Sequence, residues 1–115
     1  MGTRENKLLL KQLHETGFPG GPKALDRFYA PTFVAEVAGW RDLDSLKEVL
    51  RAFIEAFPNS EWVAEDMVAE GEKVAVRTVV KIRSGTGVVR TIASTSIYRF
   101  ANNVIVEQWG HGETL

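Results

Sequence analysis

Residues 61–109 read EWVAEDMVAEGEKVAVRTVVKIRSGTGVVRTIASTSIYRFANNVIVEQW, and this stretch decides the fold. Four runs rich in β-branched residues alternate with three turn signals. Glu61 to Glu70 reads as a strand, Gly71-Glu72 as a tight turn, and Lys73 to Arg83 as a second strand. Ser84-Gly85-Thr86-Gly87 makes the next turn, and Val88 to Phe100 a long third strand. Asn102-Asn103 suits a hairpin with positive φ, and Val104 to Trp109 is the last strand.

Side chains alternate faces along a strand. Val74, Val76, Thr78, Val80 and Ile82 form an apolar row, and Ala75, Arg77, Val79, Lys81 and Arg83 a mixed, cationic one. Burying unpaired charge costs several kcal/mol, so the apolar row faces the core. On the long strand Ile92, Ser94, Ser96 and Tyr98 share one side. Gln108 and Trp109 fall on opposite sides of the last strand, and the pattern alone leaves open which of them turns inward.

Upstream the period changes to that of helices. Arg4 to Thr16 is expected to be helical, with Leu9, Leu10 and Leu13 as its stripe, His14 on the same side, and Gly17 as its stop. Gly20-Gly21-Pro22 opens a short second helix with Leu25, Phe28 and Tyr29 on its buried side, ended by Pro31. Thr32 to Ala38 reads as a short strand, with Val34 and Glu36 on the side expected to face the pocket. Asp42 or Asp44 caps a third helix that runs to Phe57 and stops at Pro58. Helices followed by a strand meander give an α+β domain. Its curved antiparallel sheet wraps three N-terminal helices into a cone, whose open end is the natural place for a pocket.

Composition narrows the function classes. The chain has 115 residues with 44% hydrophobic and 25% charged, enough for one domain spanning 1–115 with a real core. A net charge of −1 offers no basic stripe for nucleic acid. No apolar run is long enough for a membrane span, and Met1 to Lys7 is too polar for a secretory signal. The absence of cysteine excludes disulfides and thiolate chemistry and fits a cytoplasmic protein. Two histidines are few for a catalytic metal, and no cofactor is expected.

The chain resembles SnoaL-like proteins of the nuclear-transport-factor-2-like superfamily over nearly its whole length. The resemblance rests on Asn6-Lys7 opening a leucine-rich helix, on Phe28-Tyr29-Ala30-Pro31-Thr32-Phe33-Val34, and on the hairpin segment from Ala69 to Arg77. It rests also on Ile97-Tyr98-Arg99-Phe100 followed by Val104 to Gly110. It implies the cone-shaped α+β fold, a polyketide-cyclase-like ligand pocket and pairing of copies through the outer sheet face. Related folds include cyclases, isomerases, dehydratases, epoxide hydrolases and non-catalytic binding domains. The acid–base aspartate of the cyclases falls at Ser96 here, and the histidine before the Trp-Gly ending at Gln108. Glu36 and His14 stand where the family often carries histidine and tyrosine, and the hairpin before the long strand is shortened.

Two proton carriers are therefore expected, His14 and Glu36. An imidazole at the edge of a buried stripe suits a general base, and its plain alternative is a boundary histidine bonded to backbone or water. A carboxylate in an apolar strand suits a proton shuttle, and its plain alternative is an edge glutamate in solvent. Ser94, Ser96, Tyr98 and Gln108 are expected to orient a ligand, and Tyr29, Trp40, Phe53 and Phe57 to line its pocket or simply fill the core. Trp109, Ile105 and Ile97 can form an outer apolar patch for a homodimer. The expected function is binding of a hydrophobic carbonyl-bearing or polycyclic molecule, with cofactor-independent cyclase, isomerase or lyase chemistry. The alternatives are a non-catalytic binding or dimerisation module, and an epoxide hydrolase, which needs an Asp–Arg–Asp set inside the cavity.

Overall fold

A computed structural model describes residues 2–37, 39–83, 87 and 89–112. Helix α1 (Thr3–Gln12) passes directly into a π-helical turn at Leu13–Gly17, followed by a 3-10 helix at Pro22–Arg27. Strands β1 (Tyr29–Val37) and β2 (Trp40–Asp42) precede helix α2 (Leu43–Ala56). The meander is β3 (Glu61–Glu70), β4 (Lys73–Arg83), β5 (Val89–Ala101) and β6 (Val104–Gly112). The six strands form one curved open sheet in the order β2-β1-β6-β5-β4-β3. All pairs are antiparallel except β1 with β6, which run parallel. No helix among the described residues is long and apolar enough to cross a membrane.

The alternation read from β4 holds: Val74, Val76, Thr78, Val80 and Ile82 are all buried. Asn102 and Asn103 both take positive φ, as their hairpin requires. Asp42, not Asp44, caps α2: its carboxylate accepts from Ser45 N at 2.8 Å, and Ser45 Oγ accepts in return from Asp42 N. Leu43, Leu46 and Leu50 carry the buried side of that helix. The turn expected at Ser84-Gly85-Thr86-Gly87 and the end of the first strand at Ala38 lie outside the described residues, Gly87 apart.

Two expectations are corrected. Pro31 does not end a helix; the 3-10 helix stops at Arg27 and Pro31 lies inside β1. It occupies the irregular part of the β1–β6 register, between the pairs Tyr29↔Ile105 and Val34↔Glu107, where no ladder bond is asked of its missing N–H. The second correction is the face of β1. Phe33 and Ala35 point inward, while Val34 and Glu36 are exposed. Phe33, Ala35 and Val37 form an apolar row whereas the other row carries Thr32 and Glu36, and Phe33 packs edge-on against Tyr29 with ring centroids 4.7 Å apart.

Candidate functional site

A cavity of about 360 Å³ opens between α2 and the concave face of the sheet. That is a normal size for a small-ligand site. Val37, Leu46, Leu50 and Phe53 close one side and Phe18 and Trp62 another, with Phe18 and Trp62 stacked at 4.6 Å and Phe53 edge-on to Trp62. The floor is made by three neighbouring strands. Thr78 comes from β4, Ser94, Ser96 and Tyr98 from β5, and Gln108 from β6. Register sets their places: Thr78 lies opposite Ser94, Val76 opposite Ser96, and Tyr98 opposite Gln108. The polar atoms thus form a seam across an apolar bowl.

One end of the seam is anchored by Gln108. Trp40 Nε1 can only donate, so the Gln108 oxygen faces it, across a long 3.4 Å. The amide nitrogen then donates to Ser96 Oγ at 3.2 Å. Gly110 leaves room for that hydroxyl, since a Cβ there would lie 2.3 Å from Ser96 Oγ. Gln108 is buried on the floor and Trp109 lies on the outer face against the Lys73 ammonium, which answers the question left open by the pattern.

The other end is anchored by His14, 1% exposed within the π turn. Its Nδ1 lies 2.8 Å from the Leu10 carbonyl, and its Nε2 2.8 Å from Thr78 Oγ1. A carbonyl only accepts, so Nδ1 carries the proton. Burial is the main influence on the ring and holds its pKa below the ordinary 6.5, against the Leu10 bond, which raises it. The ring is therefore neutral at pH 7, and Nε2 is a lone pair that accepts from the Thr78 hydroxyl. Phe18 packs edge-on to the imidazole at 5.3 Å.

Of the expected ligand contacts, Trp40, Phe53, Ser94, Ser96, Tyr98 and Gln108 line the cavity. Tyr29 and Phe57 do not: Tyr29 is buried in the core, and Phe57 packs on Phe53. Burial, before any other influence, raises the Tyr29 and Tyr98 phenols above their usual 10, so both stay protonated. His14 reaches the cavity only through Thr78. Glu36, expected as a second proton carrier, is exposed on the outer face because Phe33 and Ala35 take the inner one. Thr78, Trp62, Phe18 and His111 line the cavity without having been singled out in the sequence. Thr78 was hidden in a valine row, and only its hydroxyl set it apart. Among the described residues no group of three His, Asp or Glu side chains converges as a metal site.

A family model for the SnoaL-like domain matches residues 14–108. No curated protein matches the chain in sequence. Among solved structures, IdmH of Streptomyces antibioticus, a proposed polyketide cyclase, is 21% identical. It superimposes with a TM-score of 0.81 over 93% of this chain and 91% of that one. AclR of Streptomyces galilaeus, a proposed hydroxylase, is 17% identical, with a TM-score of 0.85 over 97% and 81%. Rd1NTF2_04, with its long sheet, is 12% identical, with a TM-score of 0.67 over 95% and 99%. At these identities the likeness is one of fold.

Proposed function

The chain belongs to the SnoaL-like domain family, and from that premise we propose that its cavity binds a small hydrophobic, carbonyl-bearing or polycyclic compound and performs cofactor-independent acid–base chemistry on it. The reaction is of the cyclase, isomerase or lyase kind. One observation carries this reading: the polar seam of an otherwise apolar cavity ends on a hydroxyl whose proton is held by the Nε2 lone pair of a buried, neutral histidine. A proton leaving the ligand passes to Thr78 Oγ1 as the Thr78 proton passes to His14 Nε2. The imidazolium so formed keeps its Nδ1–H on the Leu10 carbonyl, and the return path restores both groups. Ser96, Gln108 and Tyr98 hold the carbonyl meanwhile.

Removing such a base typically costs about 10²–10⁴-fold in rate. The probe is 1-tetralone in deuterium oxide, with exchange of its α-protons followed by NMR. Wild-type protein is expected to exchange them faster than buffer, and His14→Ala to lose most of that gain while still binding the ketone. The wild-type rate should also fall as pH drops below 6.5, a limb absent from the variant. Binding without faster exchange would favour the second reading, a carrier that leaves its ligand unaltered. Two features support that reading: Ser96 stands at the position of the family's aspartate, and no carboxylate lines the cavity among the described residues. The same wall holds no arginine, so it offers nothing to an epoxide hydrolase.

The partner we propose for the outer face is a second copy of this chain. Ile105, expected in the outer patch, is instead buried in the core past a shift in the β5–β6 register, and Val68, Ala75, Ile97 and Trp109, consecutive register partners across four strands, form one apolar stripe with Val68 and Ile97 well exposed. The rows on either side each contain an ion pair, Arg99 with Glu107 and Arg77 with Glu65. Each row thus carries both signs, and a two-fold copy meets it without like-charge conflict. Sedimentation should give a dimer for the wild type and a monomer for Ile97→Asp. A monomeric wild type would refute the pairing.

A further inference from the structure

The hydrogen-bond inventory of the seam fixes which end of it gives protons and which end takes them. Nδ1 of His14 donates to the Leu10 carbonyl, so Nε2 is an acceptor, and the single proton of Thr78 is committed to it. Toward the cavity Thr78 Oγ1 is left with lone pairs only. The opposite end runs the other way. Trp40 donates to Gln108, and Gln108 donates to Ser96 Oγ. The proton of Ser96, like the second amide proton of Gln108, has no partner along that chain and is free to donate into the cavity. Thr78 and Ser96 are diagonal neighbours across β4 and β5, which sets their Cβ atoms about 7 Å apart. A ligand that satisfies both ends therefore needs a donor at one place and an acceptor a few atoms away.

We infer that the ligand is a hydroxy-carbonyl compound, a phenol or enol in conjugation with a ketone, whose O–H donates to Thr78 and whose C=O accepts from Ser96. Thr78 is then the group that touches the reacting hydroxyl, and His14 positions it and stores its proton. Loss of the hydroxyl proton through Thr78 leaves an enolate or phenolate whose charge spreads onto the carbonyl held by Ser96. The ligand O–H bond breaks, a Thr78 O–H bond forms in its place, and the displaced Thr78 proton ends on His14. No oxidant or further reactant enters.

This inference rests on the ligand cavity proposed above, and the test separates the two. Affinities of 6-hydroxy-1-tetralone and 1-tetralone are measured by calorimetry. A net hydrogen bond of ordinary strength predicts that wild-type protein prefers the hydroxylated ketone by about three- to tenfold. Thr78→Val should erase the preference, so that the two ketones bind alike, and Thr78→Ser should restore it. Ser96→Ala should weaken both ketones by a similar factor. Equal affinity of the wild type for the two ketones, or a preference that survives Thr78→Val, would overturn the polarity assignment and leave the cavity reading standing. Binding of neither ketone would overturn both.

Discussion

Alanine at position 33 is expected to cost about 3–5 kcal/mol of stability, while alanine at position 34 is expected to cost less than about 1 kcal/mol. Phe33 is 1% exposed and Val34 52%. The two side chains leave adjacent Cα atoms toward opposite faces, so the pair tests the orientation of β1 directly. Phe33 lies in the main core beside Tyr29, and its removal leaves a hole that the sheet cannot collapse to fill. A small domain has about 5–15 kcal/mol in total, so Phe33→Ala should shift the urea midpoint far down. A larger loss at position 34 than at position 33 would mean that the strand is turned the other way, with Glu36 inside.

The second large effect is the acid sensitivity that His14 confers. Its folded pKa is depressed below 6.5, chiefly by burial, so the native state resists protonation that the unfolded chain accepts. Below pH 6.5 the unfolded state binds more protons, and stability falls as pH falls until the folded pKa is reached. Each pH unit in that window removes at most about 1.4 kcal/mol. His14→Leu should be less stable than wild type near neutrality by about 1–3 kcal/mol, because the Thr78 hydroxyl is left without its acceptor. Between about pH 7.5 and about pH 5 the gap between the two proteins should narrow. A constant gap would mean that the imidazole titrates alike in the folded and unfolded chain.

The strands were legible because alternation and turn chemistry agree along residues 61–109. Gly71 and the two asparagines each take the positive φ that their turns require. The cap of α2 was left between Asp42 and Asp44, and the reciprocal bonds of Asp42 with Ser45 decide it. The face of β1 was misread although Phe33, Ala35 and Val37 form an unbroken apolar row: the expected proton-shuttle role drew Glu36 inward against the cost of burying its charge. The site was half legible. Parity brought Ser94, Ser96 and Tyr98 to the floor. It gave no means of seeing that the leucine-rich helix continues as a π turn, which sets His14 beneath Thr78, 64 residues away. A histidine on an amphipathic helix and a threonine in a valine strand are each unremarkable, and their meaning lies in a distance that no window of sequence contains.

The parallel pairing of β1 with β6 has a consequence for biosynthesis. As the nascent chain leaves the ribosome, Tyr29 emerges long before its partner Ile105. Until residues 104–112 arrive, β1 has only the three-residue β2 beside it, and the glutamine that anchors one side of the floor does not yet exist. Meander hairpins can form as they are made, but the closing contact joins residues far apart in sequence, which predicts slow, late consolidation. Meanwhile the apolar inner surface stays uncovered, which exposes the domain to aggregation during translation.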